Sequence, residues 1–133
     1  MRRTGGRSDR HGLGKAFGEM AALGLILLLA GGCGGSAPSA ERVAAGSELY
    51  GTTCAICHGP DAEGVALLGK DLHDNEFVGS LSDAELVAFL AEGRLATHPL
   101  NERRVAMPPR GGNPSLSDDE LGSIADYLRS IQP

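Results

Sequence analysis

The sequence predicts an all-α domain, and three observations carry that prediction. Val43, Gly46, Tyr50, Cys54 and Cys57 follow one another at intervals of 3, 4, 4 and 3, which places them along one face of a helix. Two later segments, "LSDAEL" and "LSDDEL", each begin an apolar run at helical spacing behind a Ser-x-x-Glu capping box. No stretch shows the period-two alternation of apolar and polar residues that a half-buried strand requires. The 133 residues suffice for one domain and are too few for two that each bury a core.

Residues 1–32 read as a leader rather than as part of that domain. Arg2, Arg3, Arg7, Arg10 and Lys15 stand before the uninterrupted apolar run "AALGLILLLAGG". This run is well short of the ~20 apolar residues a membrane-spanning helix needs, so an export signal is expected. The run ends in "LLLAGGC", which resembles the processing box of bacterial lipoproteins. That resemblance implies Cys33 as the lipidated residue, although Ala30 stands where leucine is usual. An ordinary cleaved signal or an uncleaved anchor, with Cys33 incidental, is the alternative. Residues 33–42 have the Gly, Ser, Pro and Ala composition of a flexible tether, and the domain is expected over 43–133.

Charge excludes one class of partner. Without residues 1–32, seven basic residues face fifteen acidic ones, a net charge of −8. Nucleic acid attracts basic surfaces, so it is not expected as a ligand.

Three helices follow in order. The first carries the Val43 to Cys57 face. The second starts at the box formed by Ser82 and Glu85, with Leu81 and Leu86 as a hydrophobic staple. It buries Leu86, Val87, Phe89 and Leu90, and stops at Gly93. The third starts at Ser117 and Glu120, is stapled by Leu116 and Leu121, and presents Leu121, Ile124, Leu128 and Ile131. Between them lie "HGPDAEGVALLGKDLHDNEFVGS" and "THPLNERRVAMPPRGGNPS", two long connections of a kind uncommon in a small domain unless something organises them. The core is also thin: there is no tryptophan, and Tyr50, Phe77, Phe89 and Tyr127 are the aromatics after the leader. A domain of this size is marginal on such a core alone, so a large apolar group is expected to complete it.

The "CAICH" stretch supplies a place for that group. Cys54, Cys57 and His58 stand at i, i+3 and i+4, so two thiols and an imidazole share one helical face. Cys-x-x-Cys-His is the pattern of c-type haem attachment. Zinc needs four ligands, and His73 and His98 form no zinc-like second pair. A redox dithiol prefers a βαβ setting, and a disulfide closing so small a loop stabilises little. Haem c, one per chain, is the favoured reading against these three.

With that motif, residues 43–132 resemble the small monohaem class I cytochromes c. The resemblance implies the cytochrome c fold, in which the first and last helices cross around one covalently bound haem. Gly46 and Tyr50 match the small residue and the aromatic of that crossing, and Tyr127-Leu128 match the pair on the final helix. The family's sixth iron ligand is a methionine in a loop before the last helix. "VAMPPRGGNPSLSDDEL" matches that loop, which implies Met107 beside His58 as the axial pair, with His73 and His98 as the alternatives. Pro108 and Pro109 are suited to stiffening such a loop. Leu72 and Tyr50 take haem-packing roles, and Arg94, Arg103 and Arg104 are candidates for the haem propionates. The family commonly has proline twelve residues after the haem histidine, with a carbonyl that accepts from its ring; this chain has Lys70.

The function so implied is a membrane-tethered electron carrier outside the cytoplasm, in the periplasm or on the outer face of the membrane. It is expected to have no catalytic residue and no small-molecule substrate. Its partners would be redox proteins with basic docking surfaces, and the membrane through a lipid anchor. An electron-transfer subunit of an oxidase or dehydrogenase complex, or a haem-based sensor, is the alternative.

Overall fold

The computed structural model describes residues 37–133, so the expected leader and Cys33 lie outside the described residues. Helix α1 (Ala40–Thr53) begins three residues before the expected domain boundary at Val43. Ser39 is the reason: its side chain accepts from the Arg42 N–H at 3.3 Å and caps the helix inside the expected tether.

Helical hydrogen bonding continues past α1. The Cys54 N–H donates to the Tyr50 carbonyl at 2.8 Å and the His58 N–H to the Cys54 carbonyl at 3.0 Å, forming the single turn α2 (Ala55–His58). Next come α3 (Glu76–Ser80), α4 (Asp83–Glu92), a 3-10 turn (Pro109–Gly112) and α5 (Asp118–Ser130). The capping boxes predicted at Ser82 and Ser117 both form. Among the described residues there is no strand, only two isolated antiparallel bridges, Val65 with Gly69 and Arg94 with Met107.

The short helix α3 was not expected. It is capped by the Asn75 side chain, which accepts from the Val78 N–H at 3.2 Å. Gln132 secures it from the far end of the chain. Its side chain accepts from the Asn75 N–H at 2.9 Å and donates to the Leu72 carbonyl at 2.8 Å. A five-residue helix has little stability of its own, so contacts such as this one, fifty-seven residues away in sequence, help to hold it.

Helices α1 and α5 cross at Gly46. A Cβ at this position would lie 1.9 Å from the Ser123 carbonyl oxygen, so only glycine permits the approach. One turn further on, the rings of Tyr50 and Tyr127 meet at 5.1 Å with a 52° tilt. Arg42 bridges the crossing to Asp126 at 2.6 Å and Asp119 at 3.1 Å. Tyr50, Leu86, Leu121 and Ile124 are fully buried and form the centre of the core. Arg129 ties α5 to the α3–α4 junction by donating to Asp83, Val78 and Leu81.

Val87 and Phe89 depart from the expected buried stripe of α4. Both are only half-buried, whereas Leu86 and Leu90 are enclosed. For Phe89 the cause is a chamber beside the helix, onto which its ring faces.

Candidate haem site

The chamber has a volume of about 640 Å³, within the range of roughly 300–1,000 Å³ usual for ligand and cofactor sites. One wall comes from α1 and α2 through Tyr50, Cys54, Cys57 and His58. A second comes from α3 and α4 through Phe77, Val78, Leu86, Phe89 and Leu90. The segment 68–75 and the loop ending in Met107 supply most of the rest. Met107 is half-buried and lines the same space as the two cysteines and the histidine. Chain segments fifty residues apart in sequence thus converge on it.

The His58 ring has a defined orientation. Its Nδ1 lies 2.9 Å from the Lys70 carbonyl oxygen, which can only accept, so Nδ1 carries the proton and Nε2 keeps its lone pair. Lys70 thereby supplies the carbonyl despite replacing proline. Gly69 makes the approach possible: a Cβ there would lie 2.1 Å from the Cys57 carbonyl oxygen. The sequence contained that glycine, but nothing local indicated how near the α2 turn would pass.

Cys54 and Cys57 are free thiols and half-buried. Burial, with a smaller contribution from Cys57, pushes the Cys54 thiol up to about 11. At neutral pH the unligated thiol is therefore protonated and a poor redox nucleophile. Among the described residues no group of three or more His, Cys, Asp or Glu side chains is placed to hold a metal ion.

Leu72 and Tyr50 both line the chamber. Tyr50 is 1% exposed, and its hydroxyl donates to the Gly59 carbonyl at 2.9 Å, fixing the turn that follows His58. Burial raises the Tyr50 phenol above its ordinary range, which keeps that donor protonated. Of the three arginines, Arg94 and Arg103 line the chamber and Arg104 does not. Arg94 is engaged with aromatic rings, its guanidinium 4.4 Å from the Phe77 centroid and 4.8 Å from that of Phe89.

The two other histidines differ in placement. His73 lines the chamber, with Nδ1 3.0 Å from the Asp71 carboxylate. His98 is exposed and outside the lining, where Nδ1 accepts from the Leu100 N–H at 3.1 Å.

Sequence reasoning missed Asn101, which is 8% exposed. Its amide donates to the Leu95 and Val105 carbonyls at 2.9 and 2.7 Å and accepts from the Arg104 N–H at 3.0 Å. An asparagine in a polar loop gives no local sign of burial, because the loop itself provides the enclosure.

These features fit a porphyrin better than any rival: a mostly apolar chamber lined by two thiols, by an imidazole whose Nδ1 is turned to the Lys70 carbonyl, and by Met107. Zinc fails on the ligand count among the described residues, and the raised Cys54 thiol disfavours redox-dithiol chemistry. The class is that of the monohaem c-type cytochromes, with haem c bound covalently. More particularly, residues 41–128 match the family described as Cytochrome C oxidase, cbb3-type, subunit III, and the chain belongs to that family.

Curated relatives agree. The chain is 28% identical over 91 residues to the Cbb3-type cytochrome c oxidase subunit CcoP of Rhodobacter capsulatus, which is 68% of this chain and 29% of that protein. It is 31% identical over 85 residues to the alcohol dehydrogenase (quinone) cytochrome c subunit of Gluconacetobacter polyoxogenes, and 32% identical over 85 residues to that of Gluconobacter oxydans. Each of these two matches spans 64% of this chain and 18% of the relative. The chain therefore covers less than a third of the relatives' length. No solved structure matches it.

Proposed function

We propose that this chain is a single-electron carrier whose haem is held by Cys54 and Cys57, with His58 and Met107 as the axial ligands of the iron. The observation that carries this reading is that all four side chains line the same chamber. Haem c supplies the chemistry, a one-electron change between ferric and ferrous iron. The two thiols form the covalent links, and the Lys70 carbonyl holds the His58 ring so that Nε2 is available. Phe77, Val78, Leu86, Phe89 and Leu90 keep water from one side, with Leu72 and Tyr50 packing beside the ring system. Arg103 and Arg94 are the cations on the lining available to propionates. With both axial positions taken by the chain, no site is left for a small-molecule substrate, and the chain is not itself an enzyme.

The acidic domain is suited to partners with basic docking surfaces, which it would meet by electrostatic steering. A second reading has support in the relatives' descriptions as subunits of an oxidase and of alcohol dehydrogenases. In that case the domain would relay electrons inside a complex, and it would co-purify with larger subunits at high salt, where a free shuttle would not.

The test is the optical spectrum of protein exported from a host with haem-attachment machinery, recorded oxidised, reduced and reduced under carbon monoxide. A low-spin c-type spectrum with a weak ferric methionine–sulfur band and no response to carbon monoxide is expected. Immediate carbon monoxide binding would move the function to sensing, and absence of covalent haem would remove the proposal altogether.

No helix among the described residues is long and apolar enough to cross a membrane. We place the chain outside the cytoplasm, in the periplasm or on the outer face of the cytoplasmic membrane, with a lipid on Cys33 as its anchor. Cys33→Ser should release the processed protein into the soluble fraction. Retention in membranes washed with high salt would exclude the lipid.

A further inference from the structure

Lys70 takes part in two contacts, one through its backbone and one through its side chain. Its backbone oxygen holds the His58 ring at 2.9 Å, while its ammonium pairs with the Glu102 carboxylate at 2.7 Å. Glu102 belongs to the loop that ends in Met107. Proline at position 70 could make the first contact and not the second.

That loop is cross-linked internally by hydrogen bonds. Its base is closed by paired backbone hydrogen bonds: the Arg94 N–H donates to the Met107 carbonyl at 2.8 Å and the Met107 N–H to the Arg94 carbonyl at 2.9 Å. Its interior is held by Asn101, whose three hydrogen bonds join residues 95, 104 and 105. Arg94 secures one flank against Phe77 and Phe89. Glu102, next to Asn101, is the attachment on the other flank. A displacement at Glu102 is therefore passed through Asn101 and Val105 to the segment that presents Met107.

We propose that Lys70 is a positioning residue that couples the two axial ligands: its carbonyl orients His58, and its ion pair with Glu102 restrains the Met107 loop against opening. This rests on Met107 being a ligand. The pair is solvent-accessible, with side chains 47% and 76% exposed, so the effect on loop opening should be modest and sensitive to salt.

The test uses holoprotein carrying Lys70→Gln, Glu102→Gln, or both; Lys70→Gln keeps the backbone carbonyl. Two quantities are read: the rate at which added imidazole binds the ferric protein, which requires Met107 to leave, and amide hydrogen exchange over residues 94–107. Each single variant should raise the imidazole rate about three-fold and speed exchange in the loop, and the double variant should do no more than either single, because both remove one interaction. In 1 M salt, where the screening length is about 3 Å, the wild type should approach the variants and Lys70→Gln should not change. Wild-type values in Glu102→Gln, or additive effects in the double variant, would overturn the coupling. Met107→Ala serves as the control. If imidazole binds it no faster than it binds the wild type, the axial assignment fails, while loop exchange still decides whether the brace exists.

Discussion

Gly46→Val should strongly destabilise the fold. The new Cβ would stand 1.9 Å from the Ser123 carbonyl oxygen and 3.0 Å from the Tyr127 Cβ, and the first of these is backbone that cannot rotate away. Relief requires α1 and α5 to separate, which also opens the Tyr50–Tyr127 contact and the core around Ile124. Overpacking usually costs about 1–3 kcal/mol, and a clash with backbone at a helix crossing belongs at or above the upper end. In a domain of this size about 3 kcal/mol lowers the melting temperature by more than ~10 °C. Gly51→Ala on the same helix is the matched control, since a Cβ there meets nothing within 4 Å. It should be neutral or stabilise the protein by up to about 1 kcal/mol. Thermal melts of both holoproteins decide the matter, and a Gly46→Val melt within a few degrees of wild type would show that the crossing is looser than described.

Met107→Ala should leave the haem attached and change its electronic state. Removing the sulfur takes away the ligand that raises the potential, so the midpoint should fall by more than about 0.1 V, within the range of about 0.8 V that axial ligands span. The ferric spectrum should move from low towards high spin, and the ferrous protein should bind carbon monoxide. Met107 is half-buried on the chamber wall and outside the main core, so the melting temperature should change less than in Gly46→Val. An unaltered spectrum and potential would transfer the ligand role to another residue. His73, on the lining, would then be tested before His98, which is off it.

Legibility varied along the chain for physical reasons. The helices from Asp83 and Asp118 could be read at once because their start signals, Ser-x-x-Glu boxes with flanking leucines, are complete within six residues. Cys54, Cys57 and His58 could be singled out for the same reason, their pattern being complete within five residues, and all three line the chamber. Helix α3 was not legible, because it is short and is held in part by Gln132, fifty-seven residues from Asn75. Nor was the start of α1, where Ser39 sat within a run that otherwise looked like tether.

The amino-acid order by itself determined the class, all-α with a Cys-x-x-Cys-His turn and a methionine followed by two prolines, each encoded by residues close together in the chain. Only the tertiary structure decided how these parts meet. It brought Met107 to the chamber wall opposite a sequence gap of fifty residues, carried the Lys70 carbonyl to His58 over Gly69, buried Asn101, and paired Lys70 with Glu102. Such contacts depend on how closely distant backbones approach, and that distance follows from the packing of the whole core rather than from any local pattern.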